Sequence, residues 1–289
     1  MTDIPLVTVG GTPGQPLLHL APANGFVLET YVPLLRPFFA DFHVVAIPPR
    51  ALWQPTPPPI GPHTTWKDDV SLIREAMTQH QLAPMIGLGH SFGAVTTFLA
   101  GRTGLFHHII LLDPTFLVRQ FFRVMADLRH RGQALDNPLA QGALRRRRIF
   151  ASVEDAYANF RSKPVFAQWS DETLRLYAAY GTRPTETGER TLTWSPEWEA
   201  FYFSTTIEED FWDVIVPHLH EEHLPGLVLR GATSDTYTAE SARVVADAWP
   251  QAVHQEIAGH GHLFPQSAPD ITAQHIRAWM MTQGLIQTP

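Results

Sequence analysis

The feature that most constrains this chain is a recurrence of short, unbroken apolar runs separated by stretches of helical spacing. Runs occupy 4–9, 16–21 (PLLHLA), 42–47 (FHVVAI), 84–89 (PMIGLG), 107–112 (HHIILL), 226–231 (GLVLRG) and 252–257 (AVHQEI). A strand covered on both faces meets water on neither, so it reads as a continuous run rather than an alternation. The pattern therefore predicts an α/β fold, a mostly parallel central sheet with helices on both faces. Between the third and fourth runs, Trp66, Val70, Ile73 and Met77 share one helical face, with Thr65 placed as N-cap and Asp68 three residues on. The stretches 238–249 and 270–283 read as two further covering helices.

The recurrence breaks after Pro114 and resumes near Gly226. A connection between neighbouring strands needs far fewer residues, so this stretch reads as an insertion over the sheet edge rather than a crossover. The expected division is a core of residues 1–114 and 216–289 with a helical cap insertion at 115–215. The inserted stretch carries Trp169, Trp194 and Trp198, with Trp212 near its end, which is half of the chain's 8 tryptophans, so an apolar cavity is expected beneath it. Ser152 and Ser170, each followed by acidic residues, look like helix starts inside it. Residues 48–62 carry seven prolines and read as a stiff surface loop.

A hydrophobic fraction of 44% against 17% charged residues supplies the apolar surface for a core of this size. The formal net charge of −7 would repel a polyanion, which argues against nucleic acid as a partner. With no cysteine, disulfides, thiolate metal sites and cysteine nucleophiles are excluded together. No run approaches the roughly 18 apolar residues of a membrane span, and the N-terminal segment has no basic stretch followed by an apolar run. The expected location is cytoplasmic.

The segment that carries chemistry is Gly89-His90-Ser91-Phe92-Gly93, set between the apolar run ending at Gly89 and the helix-compatible AVTTFLAG. It matches a known signature, the nucleophile elbow G-x-S-x-G. A strand turning sharply into a helix strains the serine backbone, and glycines two positions to either side keep Cβ atoms off the neighbouring strand and helix. The hydroxyl is lifted above the strand end, and the N–H of Phe92 at the helix start is placed to stabilise an oxyanion. Serine needs an adjacent base, normally histidine, itself held in one tautomer by a carboxylate. Both partners should stand where strands open into loops. Asp235 lies just beyond the run 226–231, and His260 and His262 lie just beyond 252–257.

These residues together resemble the α/β-hydrolase superfamily, in its small capped bacterial esterase-like branch, across nearly the whole chain. In that family the second strand ends in a His-Gly pair whose next residue donates an oxyanion N–H. The matching stretch here is Leu20 to Phe26, with Asn24 standing where histidine is usual and Phe26 as the implied backbone donor. The family's terminal Gly-x-Gly-His matches Gly259, Gly261 and His262, which selects His262 over His260. Its acid after the penultimate strand matches Asp235. Some members carry that acid after the strand that follows the nucleophile helix, where Asp113 stands here in LLDPTF.

The resulting expectation is a serine hydrolase with Ser91 as nucleophile, His262 as general base, Asp235 (with Asp113 as the alternative) as orienting acid, and the N–H groups of Phe26 and Phe92 as oxyanion donors. It would cleave a small, uncharged or weakly polar carboxylic ester or similar acyl substrate through an acyl-enzyme, without cofactor or metal. The same triad supports carbon–carbon bond hydrolysis, perhydrolysis and acyl transfer, and a hydrolase-like receptor of slow turnover is the alternative from another class. A bland role is expected for His90 (packing), for Arg145 to Arg148 (a solvated helix, since four consecutive side chains point to all sides) and for the histidines between 218 and 223 (a surface loop). Apolar residues of the inserted segment could line either a pocket or a homodimer interface.

Overall fold

The computed structural model describes residues 3–206 and 211–287, so the outermost ends of the expected core and four residues of the expected cap lie outside it. Seven strands form one sheet: β1 (Val7–Gly10), β2 (Leu17–Ala21), β3 (His43–Ala46), β4 (Met85–His90), β5 (Phe106–Leu112) and, after a small sheet of three short strands (β6, Ile149–Phe150; β7, Thr182–Pro184; β8, Arg190–Leu192), β9 (Gly226–Gly231) and β10 (Val253–Ile257). Every apolar run of the sequence is a strand of the large sheet. Their spatial order is β1-β3-β2-β4-β5-β9-β10, with β1 antiparallel and all other pairs parallel. β4 and β9 are buried along their whole length, which is why they show no alternation.

The helices α1 (Lys67–Gln79), α2 (Phe92–Gly101), α8 (Ala239–Ala248) and α9 (Pro269–Thr282) cover the sheet, whose two faces bury separate apolar cores, one around Phe98, Phe106 and Trp249 and the other around Leu34, Phe38 and Trp279. α1 starts one residue later than its pattern implies: Trp66 is its N-cap, and the Thr65 hydroxyl only meets the N–H of Lys67 at 3.4 Å. Thr238 caps α8 by accepting from the N–H of Ser241.

Between β5 and β9 lie α3 (Arg119–His130), α4 (Pro138–Leu144), α5 (Val153–Arg161), α6 (Asp171–Tyr180) and α7 (Pro196–Thr205). Ser152 and Ser170 cap α5 and α6 as their sequence signature implies. The antiparallel β6-β8-β7 sheet in this insert departs from the all-helical expectation. No helix among the described residues is long and apolar enough to cross a membrane.

The strand order fixes where a site can form. The chain leaves β2 toward β3 on one side, while β4, β5, β9 and β10 build outward on the other. The loops after β2 and β4 therefore diverge at a topological switch point, where open parallel sheets leave a crevice. Ala21 pairs with Gly89, His90 with Leu112, and Gly231 with Ile257, so the carboxyl ends of β2, β4, β5, β9 and β10 form one rim.

Candidate active site

Ser91 sits on the turn from β4 into α2 with φ 58° and ψ −119°, a conformation that costs an L-residue energy and persists only where its surroundings enforce it. The two glycines of the motif permit it. A Cβ on Gly89 would stand 2.2 Å from the carbonyl oxygen of Gly93, and a Cβ on Gly93 would stand 2.2 Å from that of Ala21. The turn is further held by the N–H of Ser91, which donates to Leu112 at the end of the adjacent strand.

His262 follows β10 and reaches back across the rim. Its Nε2 lies 2.9 Å from Ser91 Oγ, and its Nδ1 lies 2.6 Å from Asp113 Oδ2. A carboxylate can only accept, so Nδ1 carries the proton and Nε2 is left to accept from the serine. His260 instead meets the Ser267 hydroxyl at 2.9 Å.

The carboxylate is thus Asp113, and the assignment of Asp235 is corrected. Asp113 follows β5, the strand next to that of Ser91, and is completely buried with φ 42°. Besides His262 it accepts from Ser234 Oγ (2.5 Å, to Oδ2) and from the N–H of Gly231 (2.8 Å, to Oδ1). Asp235 fails to arrive because the turn after β9 is pinned to the β10 side by Ala232 N–H to Ile257 and Thr233 N–H to His260. That turn brings the hydroxyl of Ser234 inward and leaves Asp235 exposed on the cavity wall, where its one hydrogen bond among the described residues is to the neighbouring Thr236 hydroxyl at 3.3 Å. The sequence signal for Asp113 was an acidic residue directly after the apolar stretch Ile109–Leu112.

Of the two expected oxyanion donors, Phe92 begins α2, where its N–H has no intrahelical acceptor. Phe26 is the second correction: its N–H closes a turn onto the carbonyl of Ala23 at 3.2 Å, with Gly25 at φ 85°. The N–H of Ala23 is also committed, to Tyr31 Oη at 2.9 Å. Between Ala23 and Phe26 the amides that make no hydrogen bond among the described residues are those of Asn24 and Gly25. Gly93, packed on the carbonyls of Ala21 and Pro22, keeps the loop beside the elbow.

His90 does more than pack. Its Nε2 faces the carbonyl of His262 at 2.9 Å and its Nδ1 faces Tyr31 Oη at 2.8 Å. Because the carbonyl must accept, Nε2 donates, Nδ1 accepts from the Tyr31 hydroxyl, and the tyrosine oxygen accepts from Ala23. This order needs a neutral ring, and burial, helped by nearby His262, holds His90 well below the ordinary histidine value. The histidine loop and the loop after β2 are joined through it. Thr115, unremarked in the sequence, places its hydroxyl 3.1 Å from Ser91 Oγ.

A sequence model of the alpha/beta hydrolase family matches residues 17–275, from β2 past His262. The chain belongs to that family. Among solved structures, this alpha/beta hydrolase is similar to E-2-(acetamidomethylene)succinate hydrolase (TM-score 0.71, 17% identity, 94% of this chain and 92% of that one). It is similar to the thioesterase domain from the curacin biosynthetic pathway (TM-score 0.68, 17% identity, 94% of each chain). It is also similar to a peroxisomal alpha/beta-hydrolase from Saccharomyces cerevisiae (TM-score 0.69, 14% identity, 98% of this chain and 83% of that one). At such identities the likeness is one of fold. No curated protein sequence matches the chain.

In this alpha/beta hydrolase a cavity of about 680 Å³ opens over Ser91 and His262 and is walled largely by apolar side chains of the insert, among them Phe160, Phe166 and Tyr202. The four arginines do not lie on the expected solvated helix: they follow the end of α4 at Leu144, and Arg146 is partly buried. Arg146, Arg147 and Arg148 pair with Glu199, Asp155 and Glu197. Arg145, like Lys163, lines the cavity without a carboxylate partner among the described residues.

Proposed function

We propose that the protein is a serine hydrolase that cleaves a carboxylic ester or a closely related acyl substrate through an acyl-enzyme on Ser91. The observation that carries this is the continuous contact from Ser91 Oγ through the two ring nitrogens of His262 to the buried Asp113. His262 Nε2 takes the serine proton as Oγ attacks the carbonyl carbon, and Asp113 steadies the resulting imidazolium without itself taking a proton. The developing oxyanion is met by the N–H of Phe92 and an amide of the Asn24–Gly25 loop. Collapse of this intermediate expels the alcohol, protonated by His262, and leaves the serine ester. Water, deprotonated by the same nitrogen, then releases the acid. The hydroxyl of Thr115 donates to Ser91 Oγ in the resting state and so keeps its lone pair aimed.

The insert acts as a cap whose aromatic wall receives the acyl group. The uncommitted cations Arg145 and Lys163 extend the substrate beyond a purely uncharged one, because an anionic end distant from the scissile bond would find a partner there. The cytoplasm is the proposed location.

The test is labelling and turnover. Wild-type protein should react with a fluorophosphonate at Ser91 and hydrolyse p-nitrophenyl acyl esters over many cycles. Ser91→Ala should lose both while unfolding at the same temperature; retained turnover in that variant would remove serine from its role. Labelling without turnover of any ester, thioester or vinylogous diketone would favour the binding-protein alternative.

A further inference from the structure

The loop that would complete the oxyanion pocket is built around Gly25, whose φ of 85° and missing Cβ leave the flanking peptide planes free to rotate unless something outside the loop fixes them. On the core side the anchors among the described residues are Tyr31 on the N–H of Ala23 and the turn from Phe26 to Ala23. The remaining anchors come from the insert. Tyr177 of α6 donates its hydroxyl to the carbonyl of Gly25 at 3.2 Å. Asn24 Nδ2 donates to the backbone carbonyl of Glu199 in α7 at 3.0 Å. These two holds are themselves tied together by Arg146, just past the end of α4. One arm of its guanidinium donates to Tyr177 Oη at 2.9 Å and the other pairs with the Glu199 carboxylate. That carboxylate lies against the loop, 3.3 Å from where a Cβ on Gly25 would stand.

Tyr177 and Glu199 therefore grip adjacent residues of the loop from opposite ends of one ion-paired cluster. We infer that Arg146, Tyr177 and Glu199 are positioning residues that set the direction of the Asn24 and Gly25 N–H groups, so that the oxyanion pocket is complete only while the insert is seated on the core. The inference rests on the reading of Ser91 as nucleophile. It also gives the exchange of histidine for asparagine at position 24 a physical role: the side chain reaches the insert and fixes the loop from that side.

A tyrosine in an aromatic cluster with Phe160, Phe166 and Trp169 could serve packing alone, so the deciding variant is Tyr177→Phe, which keeps the ring and removes the hydroxyl. Misplacing an oxyanion donor without deleting it should lower kcat roughly ten- to hundred-fold. KM for a p-nitrophenyl ester and the melting temperature should stay near wild type. Affinity for an alkylboronic acid, which forms a tetrahedral adduct on the serine, should fall by a similar factor, while competitive inhibition by the product carboxylic acid stays unchanged. Arg146→Met should lower kcat and boronic-acid affinity as Tyr177→Phe does, but with a fall in melting temperature as well, because the Glu199 carboxylate loses its partner; in kcat the double variant should lose no more than the worse single one, since the residues act as a unit.

A Tyr177→Phe kcat within twofold of wild type would overturn the inference. So would a parallel fall in kcat, melting temperature and product affinity, which would mark a packing role. The two readings fail separately. Wild-type protein that neither labels nor turns over ends the serine mechanism, whereas active wild type, inactive Ser91→Ala and unimpaired Tyr177→Phe end only the positioning role.

Discussion

Replacing Asp113 by asparagine tests the site more sharply than deleting it, because the surrounding hydrogen bonds dictate how the new amide must sit. Oδ1 of Asp113 accepts from the N–H of Gly231, so the amide oxygen of the substituted side chain takes that place and its NH₂ group falls where Oδ2 now meets His262. Facing a donor, His262 must present a bare Nδ1 and move its proton to Nε2. The ring then points an N–H at Ser91 and cannot accept the serine proton. A wrong tautomer of this kind costs about 10⁴-fold in kcat in the best-studied triad, or roughly 5 kcal/mol of transition-state stabilisation. The new NH₂ also faces the hydroxyl of Ser234, whose oxygen already accepts from the N–H groups of Thr236 and Tyr237, so one buried hydrogen bond is lost and folding stability should fall by about 1–3 kcal/mol. Asp235→Asn, at an exposed residue on the cavity wall whose one hydrogen bond among the described residues is to Thr236, should leave kcat within about twofold. The assay is steady-state hydrolysis of a p-nitrophenyl ester at neutral pH, with thermal unfolding as control. Equal losses in the two variants, or a loss confined to Asp235→Asn, would refute the reasoning.

Two further outcomes follow from buried charge. His19 is completely buried and burial pushes it down to about 4; its Nε2 accepts from the N–H of Ile47, so protonation would break that bond. The unfolded chain takes up this proton near pH 6.5 and the folded one near pH 4, so stability is full above about pH 6.5 and falls as pH drops between those values, by roughly 3 kcal/mol. Urea titrations at neutral pH and near pH 4 should show at least this loss, buried His90 adding to it, and His19→Gln should reduce the loss by the His19 share; an unchanged loss in the variant would place the proton uptake elsewhere. Arg50 and Asp69 form a buried pair at 2.9 Å, with Tyr202 of α7 donating to the same carboxylate at 2.8 Å. Asp69→Ala leaves that guanidinium uncompensated and should cost about 3–5 kcal/mol in chemical denaturation, and a cost below about 1 kcal/mol would show that water reaches the pair.

The large sheet was legible because its inner strands are largely buried on both faces, and Ser91 was legible because an elbow needs its two glycines whatever else the chain does. The small sheet was not. Its strands are two or three residues long, one ends in Pro184, and nothing in Ile149–Phe150 distinguishes a strand from a turn. The acid was half legible, since two aspartates stand at adjacent strand ends and the choice depends on which way the turn after β9 rolls. Hydrogen bonds from Ala232 and Thr233 to the neighbouring strand and its loop decide it, and sequence spacing carries no trace of them. The donor at Phe26 failed for a related reason: counting residues from a strand end locates a loop but not the direction in which each amide points.

The site divides into two halves that the fold holds by different means. Ser91, His262 and Asp113 stand on strand ends of one sheet, and the His90–Tyr31 chain ties the histidine loop to the start of the loop after β2, with every polar group in it satisfied. A fully satisfied buried chain has one low-energy arrangement, so this half is preorganised whether or not substrate is present. The far end of the same loop has no such support from the core, and its anchors sit on helices that also wall the cavity. Binding energy from the acyl group against that wall is therefore spent where the insert meets the core. On the proposed mechanism, a substrate long enough to engage Phe160 and Phe166 would steady the oxyanion loop through Tyr177, and a short one would not. On this arrangement chain length should act on kcat more than on KM, because the contact that improves with length is one that matters only when negative charge develops on the carbonyl oxygen.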